Sequence, residues 1–143
     1  MSYEKQFFIE GDPAGKPRAK AARRGNFVTM YAPEDSKGWA KLVALQSKRY
    51  APREPLHGPA GVTFLFIFAR PKSHFGRHGL KADAPINHTI KPDRDNLDKL
   101  MLDVFTKLGF WKDDCQVAYG SVRKIYTCAP YPKPGCWVQI WSL

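Results

Sequence analysis

Apolar and polar positions along this chain fall into short blocks that switch between strand and helix spacing. Residues 6–10, QFFIE, read as a strand closed by Gly11-Asp12-Pro13, and residues 27–31 as a second short strand. Between them, residues 16–25 are dominated by Lys and Arg, and Pro17 and Gly25 argue for an ordered loop or arm. Pro33 opens a helix that runs to about Tyr50, with Trp39, Leu42, Val43 and Leu45 near helical spacing. Pro52, Pro55 and Pro59 then break the chain. Residues 62–68, VTFLFIF, are almost continuously apolar, which predicts a strand buried on both faces. Residues 71–90 hold few large apolar side chains, and a loop of that length points to a functional segment. Leu97, Leu100, Met101, Val104, Phe105 and Leu108 follow the i, i+3, i+4, i+7 pattern, so a helix is expected from Asn96 to Leu108, stopped by Gly109. Residues 116–126 and 135–141 read as the last two strands. The sum is one α+β domain over residues 1–143: a mixed, largely antiparallel sheet flanked by two main helices.

Charge narrows the function. The chain has 23 Lys and Arg against 13 Asp and Glu, a formal net charge of +10. A domain this basic points to nucleic acid first and to acidic membrane surfaces second. No apolar run is long enough to span a bilayer, and the first residues lack the apolar stretch of a secretory signal. Cys115, Cys128 and Cys136 lack CxxC spacing and are expected as reduced thiols, so a cytoplasmic protein with no membrane partner is expected.

Against that basic background, Lys91-Pro92-Asp93-Arg94-Asp95-Asn96-Leu97-Asp98-Lys99 and Trp111-Lys112-Asp113-Asp114 gather acids. Asp93 and Asp95 share a face on extended backbone, and Pro92 favours such backbone before it. Asp95 is suited to cap a helix beginning at Asn96. Asp113-Asp114 returns at the entrance to the next strand, and meets the helix start only if that strand neighbours it. Carboxylates held among cations suit a hard divalent cation such as magnesium, which takes oxygen ligands and neutralises charge next to phosphate. Taken singly, each acid reads equally as a helix cap or a polar turn. Lys99, one turn after Asp95 and one before Asp103, reads from spacing alone as part of an i, i+4 ion-pair ladder. The segment is not an EF-hand, because Asp98 stands where that loop needs Gly.

At these residues the chain resembles the RusA family of Holliday-junction resolvases. The likeness is carried by KPDRDNLDK at 91–99, Leu102-Asp103 and WKDDCQV at 111–117. A weaker likeness covers GDPAGKPR at 11–18 and Arg70-Pro71-Lys72-Ser73-His74. The resemblance implies a magnesium-dependent endonuclease, with manganese able to substitute, that cuts four-way DNA junctions by paired nicks as a homodimer. It places catalytic, metal-binding aspartates on Asp93, Asp95 and Asp114 and an essential lysine on Lys99, with Asp113 and Asn96 in support.

Lys16, Arg18, Lys20, Arg23 and Arg24 are the leading candidates for phosphate contacts, with Lys72, Arg77, His74 and Lys81 behind them. Phe75 and Phe110 are candidates for a wedge at the branch point. Phe64, Phe66, Phe68, Trp137 and Trp141 read as core, and His74, His78 and His88 as loop histidines facing water. Leu102 suits either an interface or the margin of the core. The rival to a nuclease is a non-catalytic junction-binding protein whose carboxylates only cap and tune the fold.

Overall fold

Strand order follows from which side chains can be hidden. The computed structural model describes residues 2–16, 20–24, 27–31 and 35–143, with side chains outside 17–37. Four strands form the central sheet: β1 (Glu4–Glu10), β4 (Ala60–Phe68), β7 (Val117–Tyr126) and β8 (Gly135–Ser142), in the order β1-β8-β4-β7. β8 runs antiparallel to β1 and β4, and β4 runs parallel to β7, so the sheet is mixed and mostly antiparallel as expected. Helix α1 (Asp35–Ser47) and helix α2 (Arg94–Leu108) pack on one face. There Phe7, Ile9, Val62, Phe64, Phe66, Val138 and Ile140 meet Trp39, Val43, Leu97, Leu100, Met101 and Phe105.

Phe105 lies at the centre of this layer. Its ring sits 5.9 Å from Phe64, 4.9 Å from Phe110 and 6.4 Å from Phe7, centroid to centroid. Phe105→Ala is expected to lower the unfolding free energy by roughly 3–5 kcal/mol, measured by urea denaturation, because the emptied volume is walled by rigid rings.

Both faces of β4 were expected to be buried, and only the helix side is sealed throughout. On the other face Phe8 packs 5.3 Å from Trp137, and Trp137 remains 36 % exposed. Trp137 and Trp141 therefore belong to that second face, not to the main core, because strand alternation sends them away from Val138 and Ile140. In α1, Trp39 and Val43 are buried, whereas Leu45 is 78 % exposed. The helix stops at Ser47 and a 3-10 turn completes the expected span to Tyr50, before Ala51 turns extended ahead of Pro52. The expected opening at Pro33 lies outside the described residues.

The basic arm is partly regular. Strand β2 (Lys20–Arg24) pairs antiparallel with β3 (Phe27–Tyr31), Lys20 opposite Tyr31 and Arg24 opposite Phe27. A loop was expected for that stretch from its charge and its flanking Pro and Gly. Backbone pairing with an apolar neighbour strand is what charge reading misses.

Residues 71–90 also carry some order. A 3-10 turn at Lys72–His74 precedes a two-residue ribbon, β5 (Phe75–Gly76) with β6 (Gly79–Leu80). The loop then returns beside β7, where His88 N–H donates to the Lys124 carbonyl (3.0 Å) and Tyr126 N–H to the Ile86 carbonyl (2.9 Å).

Candidate functional site

α2 begins two residues earlier than expected, at Arg94. Its N-cap is Asp93, with extended φ −68° and ψ 148°, and Asp95 lies inside the first turn; the expected cap at Asp95 is thereby corrected. The Asp93 carboxylate makes no capping hydrogen bond. Capping therefore does not account for it, and both exposed carboxylates stand at the positive end of the helix dipole. Gly109 ends the helix at φ +85°, and Phe110 N–H reaches back to the Phe105 carbonyl at 3.0 Å.

The loop after β1 is docked on the same turn. Lys16 N–H donates to the Asn96 carbonyl (2.9 Å), and a side chain at Gly15 would stand 2.8 Å from the Asn96 Cβ, so only glycine admits this approach. Asn96 thus acts through its backbone as the anchor of the basic segment. Lys16, expected on phosphate, pairs with Asp103 (Nζ–Oδ2 2.5 Å). That pairing also removes Asp103 from the ladder expected with Lys99. Lys99 is exposed and forms no ion pair among the described residues. Arg18 lies outside the described residues, as do the side chains of Lys20, Arg23 and Arg24. Lys72 and Arg77 are exposed in the loop that carries β5 and β6.

At the far end of α2, a 3-10 turn at Asp114–Gln116 leads into β7. Asp113 is its cap: the carboxylate accepts from Cys115 N–H (2.9 Å), and the Gln116 side chain accepts in return from Asp113 N–H (3.1 Å). Hydrogen bonds from Cys115, the backbone N–H first, hold the Asp113 carboxyl below the usual range. Gln116 also donates to the carbonyls of Leu56 (2.7 Å) and Gly58 (2.9 Å), tying the turn to the β4 entrance. Asp114 is exposed beside it. Asp113 therefore has a structural task, and Asp114 is the unencumbered member of the pair.

The expected meeting of all three acids is not formed within one protomer. α2's 15 residues span about 22 Å. The helix start lies by Lys124, near the end of β7, where Lys124 Nζ donates to the Ile90 carbonyl (2.7 Å) and feels the Asp93 charge. Asp114 lies at the opposite end of that strand. Among the described residues no three Asp, Glu, His or Cys side chains are grouped to hold a metal ion.

A family model described as endodeoxyribonuclease RusA matches residues 10–133. This chain belongs to the RusA family. The family's members are Holliday-junction resolvases that hydrolyse DNA phosphodiesters, and the basic surface and paired carboxylates of this RusA chain accord with that enzyme class. Comparison with curated proteins returns no match. No described helix is long and apolar enough to cross a membrane.

Sequence reading assigned no role to Asp98 or Arg70, and left Leu102 between an interface and the core margin. Asp98 is half-buried in a cleft between α2 and β7, lined also by Arg94, Leu102 and Tyr119; burial raises its pKa and Arg94 opposes the rise. Leu102 packs at the core margin. Arg70 fastens the 71–90 loop, donating to the carbonyls of Pro85 (2.7 Å) and Thr127 (2.9 Å) and lying 5.4 Å above the Tyr126 ring. An Arg directly after a buried strand was the available signal.

Two expectations in this region are corrected. Phe110 is fully buried and cannot act as a wedge, whereas Phe75 is 48 % exposed. His88 does not face water: it is buried, stacked 3.8 Å from Phe68, with Nδ1 unpartnered among the described residues. Burial, reinforced by Lys124, lowers its pKa to about 4. A histidine whose folded pKa lies below its unfolded value stabilises the fold at neutral pH and loses that contribution as pH falls. Urea denaturation should therefore show stability falling from about pH 6.5 to pH 4, a limb flattened in His88→Phe.

Proposed function

We propose that this protein is a magnesium-dependent, structure-selective endonuclease that resolves four-way junctions by paired, symmetric phosphodiester hydrolysis as a homodimer. The observation carrying this reading is the first turn of α2. It presents Asp93 and Asp95 exposed and without an ion pair among the described residues, Lys99 one turn on, and the root of the basic segment fixed beside them at Asn96.

Two carboxylates at one helix end match the way magnesium is commonly held, by one or two acids plus waters and substrate phosphate. When bound, the cation supplies charge neutralisation and an activated water. Manganese would meet the same oxygen donors. In this reading Arg18, then Lys20, Arg23 and Arg24 of β2, and the loop bearing Lys72 and Arg77 bind and orient backbone phosphates. Lys99 stabilises negative charge developing on the scissile phosphate or leaving oxygen. Asp113 holds the turn that presents Asp114.

Incubation of a synthetic four-way junction with magnesium, with product ends mapped on all four strands, tests the proposal. The expected result is two nicks placed symmetrically across the branch, absent when the metal is chelated. The rival, a protein that binds junctions without cutting them, draws on the lack of a three-acid group among the described residues of one protomer. Retention of uncut junction under magnesium and manganese alike would select it.

A further inference from the structure

α1 carries two apolar stripes, and the core uses one of them. Trp39 and Val43 are buried against the sheet, whereas Leu42 and Leu45 are 39 % and 78 % exposed. With Ala44, and with Leu108 from the last turn of α2, they line an open groove of about 700 Å3. Single exposed leucines are ordinary on a protein surface, but here three meet around one concavity. Lys41 and Lys48 are the charged residues lining it, and both are exposed. Lys41, Leu45 and Lys48 recur at i, i+4 and i+7, so the two lysines bracket the most exposed leucine on one helix face. Among the described residues neither lysine forms an ion pair, and no acid lines the groove.

We infer that this groove docks an acidic, apolar segment of a partner protein. Large apolar side chains of that segment sit between α1 and the end of α2, and its carboxylates meet Lys41 and Lys48. The inference goes beyond the proposed nuclease activity and does not rest on it.

The composition of the groove selects this occupant over others. A nucleic-acid backbone would satisfy the lysines but leave the leucines wet, and no aromatic ring lines the groove to stack a base. A two-fold contact of this face with a second copy would set Lys41 and Lys48 against their own counterparts, in a chain already at +10. A lipid surface is flat and is held by many cations together, whereas this is a concavity with two. An apolar anchor in a groove, with acids on a basic rim, is how amphipathic segments are recognised. The groove also stands clear of Asp93, because Leu108 and Arg94 are the opposite ends of α2, about 21 Å apart along its axis.

Fluorescence anisotropy tests this, with the full chain titrated into a labelled amphipathic peptide that has Leu and Phe at i, i+3, i+4 and i+7 and Asp and Glu elsewhere. The expected result is saturable binding that weakens as salt rises. Leu45→Glu should weaken it at least ~10-fold, and so should Lys41→Glu combined with Lys48→Glu. Both variants alter exposed side chains, so the melting temperature should stay at the wild-type value. The double lysine variant should in turn bind a peptide whose acids are replaced by Lys. A peptide with Ser in place of Leu and Phe should bind at least ~10-fold more weakly than the parent.

Equal binding of the Ser-substituted peptide would assign the signal to the charge of the chain as a whole and overturn the inference. Undiminished binding by Leu45→Glu, or no binding by the wild type, overturns it as well. Three further results would give the groove to another occupant and reject a protein segment. Sedimentation of the wild type as a larger species than Leu45→Glu would assign it to a second copy. Flotation with phosphatidylserine vesicles that Leu45→Glu abolishes would assign it to lipid. Weaker binding of duplex DNA by Leu45→Glu, in the same proportion as its loss of peptide, would assign it to nucleic acid.

Discussion

Asp93→Asn is expected to reduce junction cleavage at least ~100-fold while leaving junction binding and the melting temperature nearly unchanged. The substitution keeps size and removes only charge. Asp93 is exposed, and its carboxylate makes no capping bond, so folding loses little when that charge goes. Removal of an N-cap side chain that does bond to the helix typically costs about 1 kcal/mol. A loss of that size here would point to a cap. Because Asp93 stands among Lys91, Arg94 and Lys124, neutralising it should, if anything, tighten DNA binding at low salt. The decisive comparison sets cleavage rate against gel-shift affinity for the same junction. Wild-type cleavage by the variant would remove Asp93 from catalysis.

Lys99→Ala should lower the single-turnover cleavage rate by about 10²-fold, again with little change in thermal unfolding. The ladder that would have given Lys99 a structural task is broken, since Asp103 pairs with Lys16. An exposed i, i+4 pair is worth only a few tenths of a kcal/mol in any case. A point charge beside the scissile phosphate, by contrast, acts where negative charge develops and where protein dipoles replace water. A variant that retained its rate and lost stability would assign Lys99 to the fold.

These two expectations fare differently as readings of sequence. For Asp93 and Lys99, the family resemblance carried by the KPDRDNLDK run named the residues, while spacing alone put Lys99 in an ion-pair ladder, and the structure added why ordinary structural tasks do not absorb them. For Lys16 the structure added an ion-pair partner 87 positions away, which a lysine in a basic run does not reveal. The buried states of Phe110 and His88 were hidden for a related reason. Phe110 follows the single Gly109 that ends α2 and His88 follows a polar loop, and only tertiary packing covers them.

What the sequence determined by itself is local and periodic. Apolar spacing set the α2 stripe, Gly109 ended it, short apolar runs between breakers set the four sheet strands, and the charge excess with its acidic motif indicated a nuclease. Tertiary structure alone decided which charges have partners and which acids are neighbours. Whether Asp114 reaches Asp93 depends on the direction in which α2 and β7 run past one another. That direction is fixed by packing Leu97, Leu100, Met101 and Phe105 against the sheet, and no short-range pattern in the chain encodes it.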